Sequence, residues 1–265
     1  GYWVEAELQP FGEQRLLSVT LTRSGQIKVI RATPEHRWFA SEDSKSRKRL
    51  SVAEMTTADL RPGMALAALS PKSLTDRSTP SPFGIAAGVV YGDGTLDGTR
   101  GAMIDLWGEK DAYLLRYFEG CAMGVCKKES TGLLGTRVRS LPASWKSLPS
   151  LSEGHSYLYG WLAGYIAADG SVSTDGAITL YSADRASLEH ARTVATRLGI
   201  ETLSILVYDR AGIDGAVTPL YRLRFLGSSV PADLLVLPEH RARFEAAEKS
   251  QSPVRWSVVS VEDHG

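Results

Sequence analysis

An α+β fold, built of two related halves behind a smaller strand-rich segment, is predicted by three observations. A glycine-striped helical stretch occurs twice at a constant offset. Each copy is followed by strand and helix patterns in the same order. A stretch rich in Ser, Thr and Pro, residues 70–82, divides this repeat from an earlier run of alternating strands.

Bulk properties narrow the choice. At 265 residues the chain is too long for one small core, so two or three compact units are expected. Lys plus Arg and Asp plus Glu number 30 each, which speaks against a coat for nucleic acid but leaves room for one basic face. The longest nearly apolar run, 158–168, is too short to cross a bilayer. No signal-peptide pattern is seen, so a cytoplasmic location and no membrane partner are expected. Cys121 and Cys126 are the only cysteines. A lone C-x4-C fits free thiols better than zinc.

Residues 16–40 read as strands: Ser18-Val19-Thr20-Leu21-Thr22 alternates, Ser24-Gly25-Gln26 signals a turn, and Ile27-Lys28-Val29-Ile30 follows. The charged stretch 41–49 reads as an exposed loop whose Lys45, Arg47, Lys48 and Arg49 could touch phosphate or simply be solvated. Leu60-Arg61-Pro62-Gly63-Met64 is a turn leading into a short strand.

The first repeated helix is 83–94, with Ser81 as N-cap and Pro82 at the first helical position. The second is 159–170. Superimposed, Gly84, Gly88 and Gly92 match Gly160, Gly164 and Ala168, and Asp93-Gly94 matches Asp169-Gly170. Residues four apart share a helical face. Each glycine inside a helix costs about 0.5–1 kcal/mol relative to alanine. A compensating cause is close backbone contact between the two stripes, which would bring both Asp residues out together at the helix C-termini. That end carries partial negative charge and unpaired carbonyls. Two carboxylates there, with the Gly92 and Ala168 carbonyls, make a hard oxygen site for Mg2+, suited to metal-assisted phosphodiester hydrolysis. One Asp-Gly alone is an ordinary turn; two copies behind the same stripe point to a shared centre.

Leu162-Ala163-Gly164-Tyr165-Ile166-Ala167-Ala168-Asp169-Gly170 resembles the signature of LAGLIDADG homing endonucleases, and Ala86 to Gly94 is a weaker match keeping Ala87, Gly88, Asp93 and Gly94. Tyr91 and Ala167 replace the acidic residue of the sixth slot, which in this family faces the interior. The resemblance implies two pseudo-symmetric αββαββα halves, 80–154 and 155–250, gripping double-stranded DNA under a saddle-shaped sheet. It implies catalytic Asp93 and Asp169 sharing two or three Mg2+ ions, and a monomer that breaks both strands of a long target, leaving 3′ overhangs.

Later in each half, Thr136-Arg137-Val138-Arg139 parallels Tyr221-Arg222-Leu223-Arg224. Alternate strand residues share a face, so Arg137 with Arg139 and Arg222 with Arg224 each offer paired guanidiniums. These fit DNA contacts, as Lys127 and Lys128 do, and equally fit surface residues of amphipathic strands. Arg139 and Arg224 are the candidates for the basic residue that the family sets near each scissile phosphate. The Gly-rich hairpin after Tyr208-Asp209-Arg210 is a candidate base-reading loop.

In the flanks, Thr33-Pro34-Glu35-His36 resembles the T-x-x-H block of inteins and other Hint domains, and Trp256 to Glu262 resembles the strand that returns to that domain. Residues 1–79 are thus expected to be a partial all-β Hint-like domain, with 251–265 as its returning strand and an intein as the origin. Splicing needs a leading Cys or Ser and a terminal Asn. The given sequence shows neither, so it is not expected to splice. Two alternatives stay open: a cleavage-defective, maturase-like DNA- or RNA-binding relative, and a protein-processing Hint element.

Overall fold

A computed structural model of the chain describes residues 7, 9–23, 25–41, 52–67, 79–128, 130–211, 217–247 and 255–264. The charged loop residues Lys45, Arg47, Lys48 and Arg49 and most of the expected linker lie outside these. The chain divides into two compact units, 3–69 joined with 250–265, and 70–249.

The first unit opens with a hairpin of β1 (Leu17–Arg23) and β2 (Gln26–Ala32), followed by β3 (Arg37–Ser41), β4 (Ala53–Thr56) and the short β5 (Ala65–Leu66). Val19, Leu21, Ala40, Leu60 and Met64 line its small core.

The second unit begins with α1 (Pro82–Asp93), capped by Ser81, whose hydroxyl accepts from the Gly84 N–H. Then come β6 (Thr95–Leu96), β7 (Ala102–Trp107), the short α2 (Gly108–Ala112), β8 (Ala122–Lys127) and β9 (Leu134–Leu141). The single helix expected over 110–119 is instead α2 followed by a 3-10 segment, Tyr113–Phe118. Leu114 and Phe118 of that segment are buried, with Tyr113, Leu115 and Tyr117 packed partly against the core, and its tyrosines and phenylalanine are weak helix formers.

The second half of this unit runs α3 (His155–Asp169), β10 (Gly170–Val172), β11 (Ile178–Ser182), α4 (Arg185–Arg197), β12 (Leu206–Ala211), β13 (Val217–Phe225) and α5 (Pro238–Ala246). Its sheet has the order β10-β11-β13-β12, and the earlier one β6-β7-β9-β8. Both are antiparallel, with the same placement of successive strands.

α1 and α3 are apolar on nearly every side because they lie at the centre of this unit, enclosed by residues of both sheets. No helix among the described residues is long and apolar enough to cross a membrane.

Finally β14 (Ser257–Asp263) returns to the first unit, between β1 and β5, in a six-stranded sheet of order β2-β1-β14-β5-β3-β4. Its Val258 joins the first unit's core.

Candidate metal and nucleic-acid site

Glycine positions the site. A Cβ on Gly84 would meet the Tyr157 carbonyl oxygen at 2.4 Å, and one on Gly160 the Ser81 carbonyl oxygen at 2.4 Å. A Cβ on Gly164 would meet the Ile85 carbonyl oxygen at 2.1 Å. α1 and α3 therefore touch backbone to backbone, which no larger residue at these positions allows. The seam continues to the helix ends, where a Cβ on Gly92 would meet the Ala168 Cβ at 2.5 Å and Asp169 Oδ2 at 3.0 Å. The Asp169 carboxylate thus lies against the last turn of the helix that ends in Asp93. Asp93 is exposed and Asp169 half-buried.

Gly94 and Gly170 let the chain leave each helix. Their N–H groups donate to the Val90 and Ile166 carbonyls, and their backbone is extended rather than left-handed. Close approach explains the glycine: a Cβ there would stand 2.5 Å from the Val90 carbonyl oxygen and 2.3 Å from that of Ile166.

Lys146 completes the centre, and the sequence did not single it out. It ends a 3-10 turn, Ala143–Lys146, that follows β9, and the neighbouring Trp145 is buried edge-on to Phe83, 5.0 Å between ring centroids. The Lys146 ammonium donates to the Tyr91 carbonyl and stands 3.5 Å from the Gly92 carbonyl oxygen. Burial pushes its pKa below the ordinary lysine value, while the charges of Asp169 and Asp93 pull it back up. One cation therefore faces both carboxylates. Its only signal in the sequence was a basic residue late in the first half.

Beneath lies an aromatic cluster. Tyr91, in the sixth slot of the first signature, packs edge-on against Tyr165 at 4.9 Å and tilted against Trp161 at 5.4 Å. Its hydroxyl hydrogen-bonds Ser187 Oγ at 2.6 Å, and Ser187 donates to Asp184 Oδ2 at 2.7 Å. Asp184 also caps α4 through the Ala186 and Ser187 N–H groups. The hydrogen bond from Ser187, then the backbone donors, hold its carboxyl below the usual carboxylate range. The interior side chain of that slot thus ties α1 to α4. Ala167, its counterpart, is buried.

The other expected residues are dispersed. Arg137 and Arg139 share the sheet face turned away from the core, because Val138 between them is buried opposite Ile104. Arg137 is engaged there by Asp105, with both Nε and Nη2 donating at 2.6 Å. Arg139 is exposed and close enough to lower the Asp105 pKa as well, after the larger effect of Arg137. Lys127 pairs with Leu134 and so belongs to the opposite side of the sheet, away from these arginines. Lys128 sits in the turn after β8. Arg224 is half-exposed, 3.9 Å from Asp175, and the Arg222 guanidinium lies 5.2 Å from the Tyr208 ring centroid.

In the first unit, Thr33 and His36 occupy one turn: the His36 N–H donates to the Thr33 carbonyl, and the His36 ring is edge-on to Trp38. The His36 carbonyl accepts from the Thr57 N–H at 2.9 Å.

The donor set at the helix ends is oxygen only, two carboxylates with backbone carbonyls beside them, which fits a hard divalent cation. Among the described residues no group of three or more His, Cys, Asp or Glu gathers as a metal cluster. Remaining ligands would have to come from water or a substrate.

A family model described as a LAGLIDADG-like domain matches residues 156–205, the segment of α3, β10, β11 and α4. No curated protein matches it. Solved structures that it resembles include I-DmoI in complex with DNA and Ca, at 16% identity and TM-score 0.42, covering 62% of this chain and 98% of that one. The N-terminal LAGLIDADG domain of DUF199/WhiA matches at 13% identity and TM-score 0.40, covering 67% and 90%. Full-length DUF199/WhiA from Thermatoga maritima matches at 12% and 0.42, covering 68% and 61%.

Proposed function

We propose that this chain is a divalent-metal-dependent DNA endonuclease of the LAGLIDADG homing type, acting as a monomer on a long double-stranded target. The observation that carries the reading is the glycine seam between α1 and α3, which sets the Asp169 carboxylate against the last turn before Asp93, with Lys146 facing both. The LAGLIDADG-like match over α3 and its following elements supports it.

Asp93 and Asp169 would hold Mg2+, with the Ala168 carbonyl beside them; the Gly92 carbonyl is shared with Lys146. The bound metal would supply Lewis acidity and an activated water for phosphodiester hydrolysis. Lys146 offsets the negative charge of a phosphate brought between the carboxylates. The backbone contact along the seam keeps the two acids from drifting apart, which in-line attack requires. The outward pair Arg222 with Arg224, and Arg139 on the other sheet, would meet the DNA, whereas Arg137 is held by Asp105.

One observation favours a second reading, a DNA-binding relative without cleavage. The ammonium near the Gly92 carbonyl stands close to where a metal ion would take that oxygen. Incubation of the chain with a library of long duplexes and Mg2+ separates the two. Recovery of a discrete doubly cut product, lost in Asp169→Asn, supports the nuclease; bound but uncut duplexes at every metal concentration support the relative.

We further propose that the first unit is the remnant of a Hint-type domain into which the nuclease was inserted, as in an intein. Its sheet takes in β14, which arrives only after the whole second unit, and Thr33 with His36 stand in the turn between β2 and β3. A fusion with a Cys placed directly before the chain and a His-Asn between it and a reporter protein tests this; excision of the chain from the fusion supports it, and an uncleaved fusion counts against it.

A further inference from the structure

Pairing registers assign every residue of the two four-stranded sheets of the second unit to a face. In the β10-β11-β13-β12 sheet, Leu223 and Phe225 are buried opposite Leu180 and Ile178. The outward face therefore carries Tyr181, Arg222, Arg224 and the exposed Thr218, and β12 adds Tyr208 and Arg210 through its pairing with Leu220 and Thr218. Three guanidiniums, two phenols and a hydroxyl share this surface. Arg222 lies over the Tyr208 ring, its guanidinium 5.2 Å from the ring centroid, which helps hold it in place.

The matching face of the β6-β7-β9-β8 sheet differs in kind. Its centre is Asp105, opposite Arg137, with Ala122, Gly124, Cys126 and Gly135 around them and the exposed Arg139 next on β9, opposite Ala122. Trp107 packs against Gly135, so close that a Cβ there would meet its ring at 2.5 Å. Asp105 takes the Nε–Nη2 edge of the Arg137 guanidinium in a bidentate pair. That is the geometry with which an arginine would otherwise take the paired acceptors of a guanine edge or a phosphate.

We propose that base sequence is read chiefly by the outward face of the β10-β11-β13-β12 sheet, and that Asp105 silences Arg137 on the other sheet. Recognition of the target is then lopsided: one half-site is specified by hydrogen bonds from Arg222, Arg224, Arg210 and Tyr208, and the other is tolerated. The proposal rests on the reading of this unit as one that binds duplex DNA.

The test selects duplexes from a random library with the full chain carrying Asp169→Asn, in Ca2+, and counts the sequence information in each half of the recovered sites. Information confined to one half is expected, and Arg222→Ala should erase part of it and weaken binding about tenfold. Asp105→Asn should strengthen binding several-fold and add preference in the other half, and Arg137→Ala in that background should cancel the gain. Equal information in both halves of wild-type sites, or an Asp105→Asn chain that binds no better, overturns the proposal while leaving DNA binding intact. Recovery of no duplex at all overturns the DNA-binding reading and this inference with it.

Discussion

A Cβ on Gly88 would stand 2.0 Å from the carbonyl oxygen of Trp161 and 2.8 Å from the Tyr165 N–H nitrogen. Backbone atoms of a packed helix cannot yield as a flexible side chain can. Gly88→Ala should therefore lower stability by about 2–3 kcal/mol despite the better helix propensity of alanine. Gly124→Ala, where nothing lies within 4 Å, should stay within about 0.5 kcal/mol. Urea unfolding of the two variants measures the contrast, and equal midpoints would contradict the seam.

Asp93→Asn and Asp169→Asn each remove one charge from the helix ends and add no bulk. Each should reduce double-strand cleavage by more than about a hundredfold and leave DNA binding in place. Cleavage rates and gel-shift affinities on the same duplex are the measurement. Removing Mg2+ with a chelator should abolish cutting in the wild type equally.

Lys146→Met keeps the length of the stem and loses the cation. Because burial already disfavours the ammonium, the variant should fold at least as well as wild type, while cleavage falls on the order of a hundredfold. A melting temperature that holds as the rate collapses distinguishes a role at the phosphate from one in packing.

His190 gives the second unit a pH dependence. Its ring lies edge-on to Trp161, its Nε2 is buried without a partner, and burial lowers its pKa from 6.5. The unfolded chain then binds this proton more readily than the folded one, so stability rises with pH in that window. The contribution is complete above about 6.5 and is lost as pH falls from there towards the lowered value. His190→Gln should flatten the melting temperature between pH 7 and pH 5; an unchanged slope would assign the effect elsewhere.

The two central helices were legible because their signal is local: a glycine every four residues and an Asp-Gly at the end of each. Ser81 as N-cap and the alternating strands were legible for the same reason. Lys146 was not, because its importance lies in where the chain goes after β9, and no spacing announces that a 3-10 turn returns to the end of α1. The engagement of Arg137 by Asp105 was equally hidden. It depends on a cross-strand register that shifts between Ala102 and Ile104, near Ser140 with its positive φ of 58°. Lys127 sits on the wrong side of its strand for the same reason: one residue of register decides the face.

The position of β14 has a consequence for biosynthesis. A ribosome delivers β1 through β5 long before the strand that belongs between β1 and β5 exists, and roughly two hundred residues of self-contained fold emerge in between. Until then the amino-terminal strands present open edges to any neighbouring chain. The first unit is thus finished only after the second, and premature termination anywhere before residue 257 strands it as a sticky half-sheet.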